Sequence, residues 1–264
     1  SLTRKDVDYV LIMTRQNVQE MRMKLDLDLD KDEEKKLVFY YAERTSREDI
    51  EELHLEKALD IFILGEDVDY DNEEDHDVFN ISCLENISEY LKSTRGKKEF
   101  DKKRIHVNLE YQSTFTAFKY THIYRSLDKS VEFLPYNIHE IWAKKILVDN
   151  FAVVPIGKKG EVHVQNYLPI DSANGITADD NKTVHLIIVG MNQMGTALGV
   201  QAALLSHFPN AHRDRNLRTT ITFIDDQAVK EGEYLRGRFA TLFDLCRYRI
   251  IDASKNEFEK DWFD

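Results

Sequence analysis

One short segment constrains the fold of this chain more than any other. The apolar run Val184–Val189 ends at Gly190, and a stretch rich in small residues follows, with Gly195 and Gly199 one helical turn apart. A short apolar run that ends in a turn is typical of a strand buried on both faces. The segment therefore predicts a strand, a turn large enough for a phosphate, and a closely packed helix.

The spacing of the glycines in this segment is that of a dinucleotide-binding turn. In such a turn the first glycine makes the tight bend, the second lets the backbone approach a pyrophosphate, and the third lets the helix pack on the strand. Gly190 and Gly195 occupy the first and third places, and Asn192 stands at the second. Gln193 and Met194 complete the predicted phosphate turn. The Asn192 side chain takes space that a phosphate would use.

A second predicted strand ends in two acids, Asp225 and Asp226. A carboxylate at that position accepts hydrogen bonds from a ribose 2′-hydroxyl and repels a 2′-phosphate. The acid lies further along the chain than is usual, because the polar insertion Pro209–Asn216 precedes the strand. The sequence predicts NAD as the cofactor, with NADH or another adenine nucleotide as related ligands.

Two other interpretations of the segment stay open. The run Leu186–Leu205 is long enough to form a transmembrane helix, although Asn192, Gln193 and Gln201 lie within it and argue against a span. The unit could also be Rossmann-like with a decayed nucleotide site, in which the glycines serve packing alone.

Composition limits the class of partner. The chain has 264 residues, 42% of them hydrophobic, and a formal net charge of −12. The hydrophobic content suits a packed core. Nucleic acids and anionic membrane surfaces bind positively charged protein surfaces, so the negative net charge argues against both as partners. Cys83 and Cys246 lie far apart and predict buried free thiols in a reducing compartment.

The first part of the chain alternates strands with helices. Val7–Thr14, Leu37–Tyr41 and Ile61–Gly65 are predicted strands, and Ser46 is a predicted N-terminal cap of a helix between the last two. Such alternation indicates a parallel sheet. Because no glycine-rich turn accompanies it, this part resembles the rear half of a Rossmann-like domain whose front half is missing.

The expected architecture is α/β, with Rossmann-like parallel sheets in two incomplete tandem units joined by a connector. Residues 1–95 are assigned to the rear half of the first domain. Residues 96–180 form the connector, with an alternating strand at Ile105–Tyr111 and an amphipathic helix after Asn137. Residues 181–264 form the second, NAD-binding unit, which is expected to be truncated at its C-terminus.

Catalytic and metal-binding patterns are sparse in this sequence. The acidic runs Asp26–Glu34 and Asp67–Asp71 lack the glycine and the bidentate glutamate of a calcium loop, so we interpret them as solvated loops and predict no metal site. The nine histidines show no spacing typical of a catalytic set. This pattern favours sensing over catalysis and leaves enzymatic activity uncertain.

Several segments resemble one family. His185–Gly195, Thr222–Asp225 and Leu242–Cys246 look like parts of the TrkA-type NAD-binding domains, which are related to the regulators of potassium conductance (RCK-like domains). Phe133–Ala143 resembles the connector that precedes the second domain in tandem members. Val38–Gly65 is similar to the rear strands of the first domain.

The resemblance implies a Rossmann-like fold, a dinucleotide at the carboxyl ends of the strands, and regulation of potassium ion transport. By position, Gly190, Asn192 and Gly195 would form the phosphate turn and Asp225 the ribose contact. It also implies a cytoplasmic homodimer, held at the inner membrane face by a channel or transporter portion preceding Ser1. Two alternatives remain, an NAD-dependent oxidoreductase fragment and a ligand-free structural or oligomerisation module.

Overall fold

The structure is a computed structural model. It describes residues 8–25, 31–65, 75–94, 102–127, 131–148, 151–155, 162–166, 170–171 and 174–254. The acidic segment Asp67–Asp71 and the first part of Asp26–Glu34 lie outside these residues, while Lys31–Glu34 forms a short helix. The loop prediction therefore stays a prediction for Asp67–Asp71 and for residues 26–30, and it is wrong for residues 31–34, which are helical.

The chain divides into two compact units, Ser1–Asn137 (unit 1) and Ile138–Asp264 (unit 2). This boundary differs from the one drawn from sequence, which assigned residues 96–180 to a connector. Residues 103–136 supply two strands of one sheet. The first pairs with the strand Asp60–Ile63 of the first predicted domain and the second pairs with the first, so both belong to unit 1. Long-range strand pairing decides this membership, and local sequence patterns do not report it.

Parallel strands form two sheets in the described part of unit 1. The strands are β1 (Val10–Thr14), β2 (Leu37–Tyr41), β3 (Asp60–Ile63), β4 (Lys103–Asn108) and β5 (Val131–Tyr136). β1 pairs with β2, and the second sheet has the order β3-β4-β5. Ile105 is aligned with Ile61 on one side and Phe133 on the other. Pro135 lies in β5, and an edge strand tolerates the missing N–H of proline.

Helices connect these strands in unit 1. They are α1 (Val18–Leu25), α2 (Lys31–Glu34), α3 (Arg47–Glu52), α4 (Asp75–Thr94), α5 (Gln112–Phe118) and α6 (His122–Ser126). The Ser46 side chain accepts a hydrogen bond from the Asp49 N–H, which confirms the predicted cap of α3. Leu84 and Ile87 of α4 are buried in one cluster with Ile105 and Val107 of β4.

Unit 2 contains a three-stranded parallel sheet of order β10-β9-β8. Its strands are β8 (His185–Val189), β9 (Thr220–Asp225) and β10 (Arg247–Asp252), and a separate antiparallel pair joins β6 (Phe151–Pro155) to β7 (Val162–Asn166). The helices of this unit are α7 (Ile138–Val148), α8 (Gln193–Leu205), α9 (Asn210–Arg213), α10 (Ala228–Arg238) and α11 (Leu242–Leu245). The predicted α/β class with parallel sheets is confirmed.

Two helices cover the same face of the unit 2 sheet. A Cβ atom at Gly199 would lie 2.2 Å from Cζ of Phe223, and one at Gly232 would lie 2.4 Å from Cδ1 of Ile250. Phe223 and Ile250 are aligned on neighbouring strands, so their side chains share a face. α8 and α10 therefore both pack there, as expected for successive right-handed crossovers in one direction along a parallel sheet.

The apolar run Leu186–Leu205 is divided between β8, a turn and α8, as the strand–turn–helix interpretation requires. Across the described ranges of the chain, the structure contains no helix with the length and apolar character needed to cross a bilayer.

Candidate functional site

The turn after β8 bends sharply at Gly190. Gly190 has φ +97°, a left-handed value that favours glycine. Its N–H donates to the Ile224 carbonyl at 2.8 Å, which ties the turn to the end of β9. A Cβ atom at Gly190 would meet no other atom within 4 Å, so the backbone faces open space on that side.

Asn192 caps α8 and does not lie across this space. Its Oδ1 accepts a hydrogen bond from the Gly195 N–H at 2.9 Å, and its φ of −62° is an ordinary value. An asparagine at this position satisfies one of the backbone donors that the first turn of any helix leaves without an intrahelical partner. Asn192 thus has a structural role that the sequence analysis did not assign.

Gly195 allows the helix to approach the strand. A Cβ atom there would lie 2.0 Å from the Gly190 carbonyl oxygen and 3.3 Å from the Ile188 side chain. A side chain at this position would force the turn and the helix apart. The role is the one predicted for the third glycine of the motif.

Asp225 is part of the turn as well as the last residue of β9. Its Oδ2 accepts the Met191 N–H at 2.7 Å, and its Oδ1 accepts the Gln227 N–H at 2.8 Å. The Met191 N–H is the largest of the causes that hold the pKa of the Asp225 carboxyl below its ordinary value. The group is therefore ionised at neutral pH. Each carboxylate oxygen has a second lone pair with which it can accept a ribose hydroxyl.

The remaining predicted residues lie around this centre. Gln193 and Met194 form the first turn of α8 and are half-buried, and Asp226 is exposed next to Asp225. The structure thus brings the Gly190–Gly195 turn and Asp225 together.

Sequence reasoning missed further residues at the same edge of the sheet. The Thr196 hydroxyl donates to the Met191 carbonyl at 3.2 Å, which fixes the turn from the helix side. The Ala253 N–H donates to the Asp225 carbonyl at 2.9 Å, and Asp252 accepts the Ser254 N–H at 3.0 Å. Asp252 ends the third strand as Asp225 ends the second, and this repetition was the signal that could have identified it.

The carboxyl end of the unit 1 sheet has a comparable arrangement that sequence analysis also missed. Gly65 follows β3 with φ +94°, and His76 packs so closely on it that a Cβ atom at Gly65 would lie 1.8 Å from the ring nitrogen Nε2. Asp77 is buried and accepts the N–H groups of Glu110 and Tyr111 at 2.8 and 3.1 Å. In unit 1 an imidazole therefore occupies the space beside the glycine turn that stays open at Gly190.

The unit 2 site combines one ionised acceptor, Asp225, with the N-terminus of α8, while the Gly190, Met191 and Gly195 N–H groups already donate to acceptors within the protein. That combination can bind an anionic ligand that also carries hydroxyl groups. Among the residues that the structure describes, no group of three or more His, Cys, Asp or Glu side chains is placed to hold a metal ion. The assignment of the site rests on this geometry, because no protein-family model and no curated protein matches the chain.

Proposed function

We propose that unit 2 binds an adenine nucleotide, with NAD as the predicted cofactor, at the carboxyl ends of β8 and β9. The observation that carries the proposal is the 2.7 Å hydrogen bond between the Met191 N–H and the Asp225 carboxylate. This bond holds Asp225, the acid predicted to bind ribose, against the Gly190–Gly195 turn, which is predicted to bind phosphate. Both groups can then contact one nucleotide, as in other open α/β sheets that bind ligands at this edge.

The wider proposal is a regulatory role, and the resemblance to TrkA-type domains is what supports it. In this proposal the chain is a cytoplasmic nucleotide-sensing part of a potassium channel or transporter system and acts as a homodimer. Regulation needs only a modest energy. A ligand that binds one of two arrangements about 10- to 100-fold more tightly supplies a coupling of roughly 1 to 3 kcal/mol.

Calorimetric titration with NAD, NADH, NADP, AMP and ATP tests the binding proposal. We expect NAD to bind more tightly than NADP, because the Asp225 carboxylate repels a 2′-phosphate. Asp225→Ala should weaken NAD binding by about tenfold or more, since a hydrogen bond to a charged group is worth roughly 1.5–3 kcal/mol. It should also reduce the preference for NAD over NADP, which simple loosening of the turn would not do.

Asp214→Ala is the matched control. The Asp214 carboxylate also accepts a backbone N–H, that of Asn216 at 2.9 Å, but it precedes β9 and lies away from the strand's carboxyl end. We expect this variant to bind every nucleotide as the unmodified chain does. Absence of binding heat and of any thermal stabilisation with all five nucleotides would contradict the proposal.

A further inference from the structure

The sheet of unit 2 has a second face, opposite the one on which α8 and α10 pack. Phe223 and Ile250 point toward those helices, so the residues that alternate with them along each strand share the opposite face. On β8, at the end of the strand order, this face is exposed, since Ile187 is 41% and Val189 81% exposed. Parallel sheets are usually covered on both faces. A covering segment would therefore bury apolar surface here.

This second face, called the open face below, combines apolar and basic side chains. Its strands contribute Ile187, Val189, Ile224, Ile251, Arg247 and Arg249. No acid is among the alternate residues of β8, β9 and β10 that share the face. Burial lowers the pKa of His185, and the nearby Arg249 charge adds to the effect, so the positive charge of the face comes from its arginines. Such a surface is complementary to a segment with aromatic and acidic side chains.

The ten residues 255–264 have that complementary composition. They follow β10 in the chain, lie outside the described residues, and include Phe258, Trp262 and Phe263 together with four acids and two lysines. β8 is two strand spacings from β10, which is roughly 10 Å. Ten residues span about 15 Å even at the short rise of a helix. The segment is therefore long enough to cross the sheet from β10 to β8.

The direction of the chain favours the same face. The strands progress from β8 through β9 to β10, and the helices of both crossovers pack on the other face. Connections between parallel strands are right-handed. A right-handed path that turns back from β10 toward β8 passes over the open face.

We propose that residues 255–264 dock on the open face of the unit 2 sheet, with their aromatic side chains on Ile187 and Val189 and their acids beside Arg247 and Arg249. Docking buries the apolar surface of β8 and neutralises the arginines of β10. It does not depend on nucleotide binding, which is proposed for the carboxyl ends of the strands.

The fluorescence of Trp262 in the full chain tests the proposal. The chain has two tryptophans, so Trp142→Phe leaves Trp262 as the only one, and the Trp142 side chain is half exposed on α7. We expect blue-shifted emission from Trp262 and protection from quenching by acrylamide. On this background Val189→Asp should lower the ratio of docked to free segment by about tenfold, because an apolar contact is lost and a carboxylate replaces it. Arg249→Glu should act in the same direction through repulsion of the acids.

Val229→Asp and Lys230→Glu are the matched controls. Both residues are exposed on α10, which packs on the other face of the sheet. We expect the Trp262 emission and quenching of these variants to equal those of the Trp142→Phe chain. Thermal unfolding of all four variants would show that each is folded.

Three results would overturn the proposal. One is emission typical of a fully solvated tryptophan in the Trp142→Phe chain. Another is the same Trp262 signal in Val189→Asp and Arg249→Glu as in the two controls. The third is protection of Trp262 that disappears on dilution, because the segment would then dock on a second copy of the chain.

Discussion

Single carboxylates stabilise the carboxyl ends of the two three-stranded parallel sheets by accepting backbone N–H groups. Asp225 does this in unit 2, and Asp77 does it in unit 1 with almost no exposed surface. Burial alone would raise the pKa of the Asp77 carboxyl. The hydrogen bonds from His76, from the Glu110 and Tyr111 N–H groups and from Thr114 outweigh it, so the pKa lies below its ordinary value. The carboxylate form therefore stabilises the fold.

Asp77→Asn should destabilise unit 1 in a pH-dependent way. The lowered pKa means that Asp77 contributes its full stability above its unfolded pKa, near 3.8, and loses it as the pH falls through the folded value. We expect a cost of about 2–4 kcal/mol at pH 7, because an amide in this place leaves a buried donor unpaired. The cost should stay constant down to about pH 5 and shrink below pH 4. Urea unfolding at several pH values measures it.

Asp179→Asn is the control for the acid titration, because the Asp179 side chain is fully exposed and its 3.6 Å ion pair with Arg213 is solvated and contributes little to stability. Its free energy of unfolding should follow that of the unmodified chain at every pH. A cost for Asp77→Asn that does not change with pH would show that the carboxylate charge has no part in the stabilisation.

At the scale of elements, the contact between α8 and β9 determines where the helix N-terminus lies. Gly199 faces the ring of Phe223, which is completely buried, so the helix axis lies closer to the sheet than any side chain at Gly199 would permit. Gly195 repeats this close approach one turn earlier, against the Gly190 carbonyl. The two glycines together set the depth of the turn relative to the end of β9.

Gly199→Ala should push α8 away from β9. The added methyl group would lie 2.2 Å from Phe223 Cζ, and overpacking of this kind typically costs about 1–3 kcal/mol. Phe223→Leu removes the clashing atom, so the double variant should be more stable than the sum of the two single changes by roughly 1 kcal/mol. Chemical denaturation of the four proteins gives this coupling energy.

Gly237→Ala is the matched control, since a Cβ atom at this residue of α10 meets nothing within 4 Å. It should be neutral or stabilising by up to about 1 kcal/mol. Strict additivity of Gly199→Ala and Phe223→Leu would disprove the contact.

At the scale of the whole molecule, the two units have separate hydrophobic cores. Leu84 and Ile105 lie in the cluster of unit 1, and Ile221 and Phe223 lie in the cluster of unit 2. Domains with their own cores can unfold independently. Calorimetry of the whole chain should therefore show two unfolding transitions.

Truncation of one core residue in each unit assigns the two transitions. Leu84→Ala should lower the midpoint temperature of one transition and Ile221→Ala that of the other. Each change should reduce the free energy of unfolding of its unit by about 2–5 kcal/mol, which is typical of the cavity that such a change makes. Both side chains are completely buried, so the two variants are matched. If calorimetry showed a single transition, and both variants lowered its midpoint temperature equally, the prediction would be wrong.

Local patterns in the sequence predicted several elements well. Leu37–Tyr41 forms the expected strand, Ser46 caps the expected helix, and Gly190 makes the expected bend between β8 and α8. The signal for each lies in residues close together in the chain, although the strand itself pairs with Val10–Thr14. The membership of β4 and β5 in unit 1 was not predicted, because it depends on pairing between residues such as Asp60 and Arg104 that are far apart in sequence.

The sequence by itself determined the α/β class and the positions of the turn and its acid, because hydrophobic periodicity and glycine placement act over a few residues. Only the tertiary structure decided how those residues are used. It showed that the Asp225 carboxylate accepts the N–H of Met191, a residue 34 positions away in the chain. Hydrogen-bond partners depend on the relative placement of β8, β9 and α8, and that placement follows from packing of the whole unit.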